Sequence, residues 1–177
     1  MSGAREAMLA RRSLSRVTDE APSHAELVEL VCAAGRVADH SSLAPWRLIE
    51  LRGGARKKLG RAIHKAEHKS GVSTKPLRAP LLIAVVARVR KSGKVPAWEQ
   101  EATAAGVAHM LSLALDEAGW GVFWRTGEYT RSKAVAKMHK LTKGERLLGW
   151  LYVGGKPERG RDARRKTIDG EAFLSAL

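Results

Sequence analysis

The sequence predicts an α+β fold in which helices flank a central sheet, and three observations lead to this prediction. Helix-like and strand-like segments are mixed along the chain without the regular βαβ rhythm of a parallel sheet. No G-x-G-x-x-G motif follows a predicted strand, so a Rossmann-type nucleotide site is not expected. No period of about 20 to 50 residues repeats, which excludes a solenoid.

The 177 residues suffice for one domain with a sizeable core, and we expect a single domain over residues 1–177. No apolar run reaches the ~20 residues that span a bilayer, and the N-terminus lacks the apolar stretch of a secretory signal. Cys32 is the single cysteine, so a reducing, cytoplasmic location is expected. Its apolar neighbours predict that Cys32 is a small core residue.

Helical spacing of apolar residues predicts the helices. Ser23 and Glu26 form a capping box at the start of the second one. The longest apolar stripe runs through Val107, Leu111 and Leu115, which predicts a central helix. The predicted helices cover about residues 3–11, a segment from residue 23 onward, 55–70, 97–118 and 132–141.

Three segments are predicted to be strands: 45–51, 80–89 and 146–155. The middle one is a continuous apolar run, which is typical of a strand buried on both faces. The stretch GVFWRTG at 121–127 mixes aromatic side chains with Arg125 between glycines. A core strand would not favour the arginine, and we predict a glycine-flanked aromatic loop.

The chain is strongly basic, with 32 Lys and Arg against 18 Asp and Glu and a net charge of +14. Such a field attracts polyanions: nucleic acid, an anionic membrane surface or a phosphorylated cofactor. The charge is dispersed, with a local excess in the tail at 156–166, and no nucleic-acid motif accompanies it. We therefore expect no specific nucleic-acid partner and no membrane partner.

Metal and nucleophile chemistry find little support in the sequence. His64 and His68 are four residues apart on one helix, but no third ligand is indicated, so no metal site is expected. There is no G-x-S-x-G motif and Cys32 lies inside a helix, so hydrolase chemistry is not expected either.

Anion binding has better candidates in ARRSLSR, residues 10–16, where Arg11, Arg12 and Ser13 follow a helix. Arginine binds phosphate in a bidentate manner, and serine adds a hydroxyl donor. The alternative is that these cations only complement the dipole at a helix C-terminus.

Two further segments add polar and aromatic groups. Arg36 and His40 belong to a polar loop that leads to Trp46, and Trp124 with Arg125 and Thr126 forms the end of the aromatic segment. Each segment alone is compatible with a structural role. Together with residues 10–16 they suit a planar, phosphorylated cofactor such as a flavin, which needs a phosphate grip, an apolar wall and donors at its polar edge.

The chain resembles the FMN-dependent nitroreductase family, in particular its short, single-domain NAD(P)H nitroreductases. The stretches that carry the resemblance follow the family's order: RRSLSR (11–16), DHSSLAPWRLIEL (39–51), RAPLLIAVVA (78–87), KVPAWEQEATAAG (94–106), AGWGVFWRTG (118–127) and LLGWLYVGGKP (147–157). The resemblance implies a mainly antiparallel sheet flanked by helices, and an intertwined homodimer with two FMN sites at its interface.

The resemblance also assigns residues to the cofactor. Arg11, Arg12 and Ser13 would hold the phosphate and ribityl chain. Arg36 and His40 would approach the flavin from the partner subunit, and Trp124, Arg125 and Thr126 would line its ring. A segment associated with NAD(P)H corresponds to Ala114, Leu115, Asp116, Glu117, Ala118 and Gly119. Periodicity alternatively places Ala114 and Leu115 in the core.

Two departures from the family pattern and one further candidate segment stand out. Thr126 replaces a serine but keeps the hydroxyl, the region at 66–77 is shorter than in close relatives, and the basic tail at 156–166 is a further candidate for phosphate contact. The implied function is hydride transfer from NAD(P)H through FMN to an electron-poor acceptor such as a nitroaromatic or quinone, with ping-pong kinetics. The alternatives are a non-catalytic flavin carrier or redox sensor, and a basic nucleic-acid-associated protein.

Overall fold

The computed structural model of the protein describes residues 3–158 and 168–176. Within these residues the sheet has four strands, β1 (Trp46–Leu51), β2 (Leu81–Arg88), β3 (Trp120–Arg125) and β4 (Glu145–Gly155). Their order across the sheet is β1-β2-β4-β3, and every pairing is antiparallel. The two central strands are therefore β2 and β4, and β3 forms one edge.

Five α-helices occur in the same described part of the chain: α1 (Ala4–Ala10), α2 (His24–Ala34), α3 (Gly54–Ala66), α4 (Ala97–Glu117) and α5 (Lys133–Met138). The capping box predicted at Ser23 is present, since its side chain accepts from the Glu26 amide and the Glu26 carboxylate accepts from the Ser23 amide. The prediction of an α+β fold with a mainly antiparallel sheet is confirmed.

Side chains alternate between the two faces of the sheet along each strand, and helices cover both faces. In β2, Leu81, Ile83 and Val85 pack against α2 and α4, whereas Leu82 and Ala84 pack against α3 and α5. This alternation explains the continuous apolar sequence of β2. Helix α4 is central, as predicted, with Val107, Leu111 and Leu115 fully buried.

The aromatic segment is a strand and not the predicted loop. Residues Trp120–Arg125 pair with β4 over six residues, and Arg125 lies opposite Trp150. A strand can contain Arg125 here because β3 is an edge strand and Arg125, its last residue, is only half-buried. Only Thr126 and Gly127 continue beyond it as loop.

The prediction that Cys32 is a core residue is also wrong, since the structure exposes it. The buried side of α2 is formed by Leu27 and Ala34, with Leu30 and Val31 packed beside them. At ~100° per residue, position 32 points away from that stripe. Apolar sequence neighbours therefore misled the prediction, whereas helical phase would have placed the cysteine correctly.

The chain between α1 and α2 crosses the end of the sheet. Ser13 forms a parallel bridge with Val122, and the Thr18 amide donates to the Gly155 carbonyl over 2.9 Å. A Cβ on Gly154 would lie 2.6 Å from the Thr18 carbonyl oxygen. Glycine on β4 thus lets this crossing segment, residues 13–20, lie directly against the sheet.

Within the described ranges, no helix combines the length and the apolarity that a membrane span requires.

Candidate active site

A cavity with a volume of about 400 Å³ opens at the end of β3. Strand ends, the Lys75–Arg78 turn and α3 form its walls. Its lining is aromatic and cationic: Ile63, Lys75, Arg78, Phe123, Trp124, Arg125, Thr126, Tyr129, Trp150 and Tyr152. None of these lining residues carries a carboxylate. We call it the main cavity.

Strand geometry sends Trp124 and Arg125 to opposite faces of the sheet. The Arg125 guanidinium lies over the rings of Phe123, at 4.4 Å from the centroid, and Tyr152, at 5.2 Å. The Arg125 Nε atom is buried without a hydrogen-bond partner in the described structure. Leaving a buried donor without a hydrogen-bond acceptor costs about 1–3 kcal/mol of stability. Arg125 Nε is therefore suited to donate to a bound ligand.

Gly149 on β4 allows a close approach behind Trp124 and Arg125. Its φ is +148°, and a Cβ there would lie 2.5 Å from the Arg125 carbonyl oxygen and 2.7 Å from Trp124 Nε1. A β-bulge between Val85 and Val86 accompanies this point of the β2–β4 pairing. Glycine is therefore required by the site's own packing, since any side chain would displace the indole.

A polar network stands at the cavity wall. The Tyr129 hydroxyl lies within hydrogen-bond distance of both Lys75 Nζ and Glu67 Oε1, and Lys75 Nζ lies 2.8 Å from the same carboxylate oxygen. The Lys75 ammonium, with the Tyr129 hydroxyl and Lys69, lowers the pKa of Glu67 to about 2. Hydrogen bonding to Glu67 in turn raises the pKa of Lys75. The network holds a protonated lysine at the cavity.

A second, smaller pocket of about 90 Å³ lies next to the main cavity, and Trp124 lines both. Arg11 and Ser13 line it together with His109 and Ser112. The His109 and Trp124 rings meet edge to face at 5.0 Å. Trp124 Nε1 is buried and has no partner among the described residues. This phosphate-sized pocket thus joins a cation, a hydroxyl and an indole donor.

Trp150 is fixed from behind the main cavity by His139. The indole Nε1 donates to His139 Nε2 over 3.0 Å, and His139 Nδ1 lies 2.8 Å from the Val135 carbonyl oxygen. The carbonyl only accepts, so Nδ1 carries the proton and Nε2 is the free acceptor of a neutral imidazole. Burial lowers the pKa of His139, which favours that neutral form.

The predicted residues Arg36 and His40 line neither pocket. Both are exposed, and His40 Nδ1 lies 2.8 Å from Glu99 Oε2. The Asp39 carboxylate accepts hydrogen bonds from the Leu43 and Ala44 amides, and Ser41 and Ser42 have φ of +61° and +50°. Such left-handed serines are strained, so Asp39 holds this loop in a defined, outward-facing shape.

The segment 114–119 lies at the end of α4. Leu115 is fully buried in the core, as the packing alternative expects, and Asp116 is buried beside Lys156, whose Nζ lies 3.3 Å from Asp116 Oδ1. Glu117, Ala118 and Gly119 are exposed, and Ala114 is half-buried. Lys156 begins the basic tail; its residues from 159 to 166 lie outside the described residues.

Of the predicted residues, the structure brings together Arg11 and Ser13 in the small pocket and Arg125 and Thr126 in the main cavity, with Trp124 between them. Arg12 is exposed in the same segment as Arg11. Sequence reasoning missed Lys75, Arg78, Tyr129, Trp150 and Tyr152. Lys75 and Arg78 are the first and last residues of the KPLR turn. No sequence pattern around them distinguishes them from the chain's many other lysines and arginines.

The site suits a planar group with several hydrogen-bond acceptors and negative charge. Aromatic rings supply flat walls, and Lys75 and Arg125 supply positive charge. Trp124 and Arg125 carry buried donors that have no partner among the residues that the structure describes. Of the two histidines considered for a metal, His64 places its Nδ1 2.7 Å from the Ser70 carbonyl oxygen. Within the described ranges, no group of three or more potential ligands could hold a metal ion.

Comparison with known sequences places these features in one family. The sequence model of the nitroreductase family matches residues 8–155. The chain is 32% identical to "Putative NAD(P)H nitroreductase YdjA" of Escherichia coli K12 over 157 residues, 84% of this chain and 86% of that protein. It is 27% identical to "Putative NAD(P)H nitroreductase" of Haemophilus influenzae over 177 residues, 94% of this chain and 95% of that protein.

Solved structures share the fold. A nitroreductase-like family protein from Bacillus cereus superimposes with a TM-score of 0.83 at 23% identity, covering 100% of this chain and 97% of that one. A variant of the FMN- and NADPH-dependent nitroreductase NfnB from Sphigopyxis sp. strain HMH gives 0.80 at 16% identity and covers 99% of both chains. With a family match that spans both pockets and most of the chain, this protein belongs to the nitroreductase family.

Proposed function

We propose that the protein is an FMN-dependent oxidoreductase that passes hydride equivalents from NAD(P)H to an electron-poor acceptor, such as a nitroaromatic or a quinone. Membership of the nitroreductase family makes it an oxidoreductase, and relatives named for NAD(P)H and FMN support the cofactors. The observation that supports the flavin is a pair of buried donors, on Trp124 and Arg125, that lie among aromatic walls and have no partner in the described part of the chain.

We infer that one FMN would use both pockets, which share Trp124. Arg11 and Ser13 in the small pocket would hold the phosphate and ribityl chain, with Arg12 from the same segment. Trp124, Arg125 and Thr126 would line the ring in the main cavity. When bound, the flavin supplies hydride and electron transfer between the nicotinamide and the acceptor.

The chain's own residues would bind and orient the flavin and place positive charge beside it. Lys75 and Arg125 place positive charge at the cavity, which stabilises the negative charge that a flavin gains on reduction. Glu67 and Tyr129 fix the Lys75 ammonium at the wall. Trp150, held by His139, and Tyr152 form an apolar wall that keeps water from the ring. No side chain is required as nucleophile, so the protein contributes positioning and electrostatics.

The proposal includes a homodimer, which an unusual apolar surface supports. Trp98 is 69% exposed and Met110 39% exposed on α4, while Met8 and Leu9 of α1 are 59% and 67% exposed. Helices α1 and α4 contact each other, so these exposed apolar side chains belong to two neighbouring helices. Exposed apolar groups gathered in this way mark an interaction surface. A partner subunit there would also bring its own strained loop, with Arg36 and His40, towards the flavin.

The nicotinamide donor and the acceptor are proposed to use one site in turn. The exposed residues Glu117, Ala118 and Gly119 are the part of the 114–119 segment that remains available to NAD(P)H. Sharing one site requires the first product to leave before the acceptor enters. Initial rates with NADPH and a quinone varied together should therefore give parallel double-reciprocal lines. Intersecting lines would overturn the shared site, and a flavin that is bound but never turns over would favour a carrier or sensor.

A further inference from the structure

Three cations converge on the main cavity without a compensating carboxylate among its lining residues. They are Lys75, Arg78 and Arg125. Burial raises the pKa of the Tyr152 phenol, and the charges of all three cations oppose that rise. All three cations and Tyr152 line the same cavity, so their charges act on the same space.

The three cations are not equivalent. Lys75 is paired with Glu67 at 2.8 Å, so much of its charge is already balanced. The Arg125 guanidinium is covered by the rings of Phe123 and Tyr152. Arg78 is exposed and has no acidic or carbonyl partner in the described ranges 3–158 and 168–176. It is the cation of this group that remains available to a ligand.

The backbone that carries Arg78 is fixed, although its side chain reaches solvent. Arg78 ends the short helical turn Lys75–Arg78, in which Pro76 is buried. The next residue, Ala79, is buried, and its carbonyl oxygen accepts from Arg56 Nη1 over 2.6 Å. Strand β2 begins two residues later. A fixed base with a free guanidinium is suited to orienting a ligand at the cavity mouth.

We propose that Arg78 selects acceptors whose planar ring carries an anionic substituent, a carboxylate above all. This inference rests on the proposed function and names the substrate class of the same site. The guanidinium matches a carboxylate in a bidentate pair, while the ring of the acceptor stays with the aromatic walls. For a nitroaromatic acid, one hydride from the NAD(P)H donor and one proton from water convert the nitro group to a nitroso group and release water.

The test compares two acceptors of similar shape, 4-nitrobenzoate and neutral 4-nitrobenzyl alcohol, in the wild-type holoenzyme and in Arg78→Gln. We expect the ratio of kcat/KM for 4-nitrobenzoate to kcat/KM for the alcohol to fall about tenfold in the variant, because only the acid loses a bidentate partner. Because each acceptor is compared with itself, differences in intrinsic reactivity cancel. Arg61→Gln, an exposed arginine on α3 that does not line the cavity, removes the same charge and should change neither value.

Two results would overturn the role of Arg78. An equal change for both acceptors would show that it does not read the carboxylate. A raised KM for NADPH with an unchanged KM for NADH would assign Arg78 to the 2′-phosphate of the donor instead. Reduction of the bound flavin by NADPH without acceptor is followed in the same preparations. If that reduction fails in the wild type, the proposed function falls and this inference with it; if it succeeds while selectivity is unaffected, only this inference falls.

Discussion

Arg125 concentrates the chemistry of the site at one residue. Its guanidinium lies over two rings, and its Nε is buried without a partner in the described structure. Stacking on Phe123 and Tyr152 limits the rotamers that the side chain can adopt. The charge is therefore preorganised before any ligand enters, which is how electrostatic stabilisation becomes effective.

Replacing Arg125 by alanine should make the bound flavin harder to reduce. The variant removes a positive charge from the cavity where reduction adds a negative one, so the midpoint potential should fall by roughly 30 mV or more, a tenfold change for a two-electron couple. A redox titration of the holoprotein measures this shift. Arg61→Ala serves as the charge-matched control, and an unchanged potential in Arg125→Ala would remove Arg125 from this role.

His139 should make stability depend on pH. Its folded-state pKa is lowered by burial, so the unfolded chain binds the proton more readily. Its contribution is complete above the unfolded value of ~6.5 and is lost as the pH falls from there towards the folded pKa. Protonation would also take the acceptor from the Trp150 indole. Denaturant unfolding from pH 8 to pH 5.5 should show this decline.

The matched variant for that experiment is His139→Gln, which keeps an amide acceptor near Trp150 and does not titrate. Its free energy of unfolding should vary less between pH 8 and pH 5.5 than that of the wild type. The other histidines contribute equally to both proteins, so the difference isolates His139. Parallel pH profiles for the two proteins would contradict the assignment.

Individual residues show where sequence reasoning reaches and where it stops. Arg11, Ser13, Trp124 and Arg125 were predicted from residue type and family resemblance, and the structure places them around two adjoining pockets. Lys75 could not be predicted, because its significance depends on a contact with Tyr129 far along the chain. The exposure of Cys32, by contrast, could have been predicted from its position relative to the apolar stripe of the helix.

Among the elements, β3 matters most to the site, and its position depends on the crossing segment at 13–20. That segment follows Arg11 and bridges β3 at Val122. Because Gly154 and Gly155 have no side chains, the crossing segment can lie directly against β4. The same contact therefore sets the edge of the sheet and the location of the small pocket.

Gly154→Ala should destabilise the fold and weaken FMN binding together. The added Cβ would lie 2.6 Å from both the Thr18 carbonyl oxygen and Val17 Cγ2, so the crossing segment must shift. Overpacking of this kind costs about 1–3 kcal/mol of unfolding free energy. Chemical denaturation and FMN titration measure the two effects.

The control is Gly93→Ala, where nothing lies within 4 Å of the added Cβ. It should leave both the unfolding free energy and the FMN affinity within the error of the wild-type values. If Gly154→Ala behaves like this control, the crossing segment does not depend on the close approach at β4.

Elements with a strong period were predicted to within a few residues. The predicted helix at 97–118 is α4 at Ala97–Glu117, and the predicted strand at 80–89 is β2 at Leu81–Arg88. Strand β3 was missed because its alternation is partly hidden: Phe123 and Arg125 share one face, and a cation there resembles a loop signal. Pairing with β4 and stacking on Tyr152 decide the outcome, and both are tertiary interactions.

In the molecule as a whole, the sheet is covered on both faces within one chain, yet large apolar side chains of α1 and α4 remain exposed. Trp98 is the largest of these exposed groups. The strained loop with His40 is linked to the same helix through Glu99. Helix α4 therefore contributes to the core, holds the His40 loop through Glu99, and lines the small pocket through His109.

Trp98→Glu combined with Met110→Glu should convert the proposed dimer to a monomer and reduce FMN occupancy. Charges on an apolar interface are costly to bury, so association should weaken. Sedimentation should show about twice the chain mass of 19.3 kDa for the wild type and 19.3 kDa for the variant. Lys58→Glu on the exposed side of α3 is the control and should stay dimeric. A wild type that sediments as a monomer would contradict the interface.

Flavin binding and reduction can both be read from the visible absorption spectrum of the purified protein, recorded after incubation with FMN, before and after anaerobic addition of NADPH. We expect flavin bands near ~450 nm that remain with the protein through gel filtration and bleach when NADPH is added. A flavin that stays bound but does not bleach would contradict the oxidoreductase and leave a carrier or sensor. A protein that retains no flavin would contradict the assignment of both pockets.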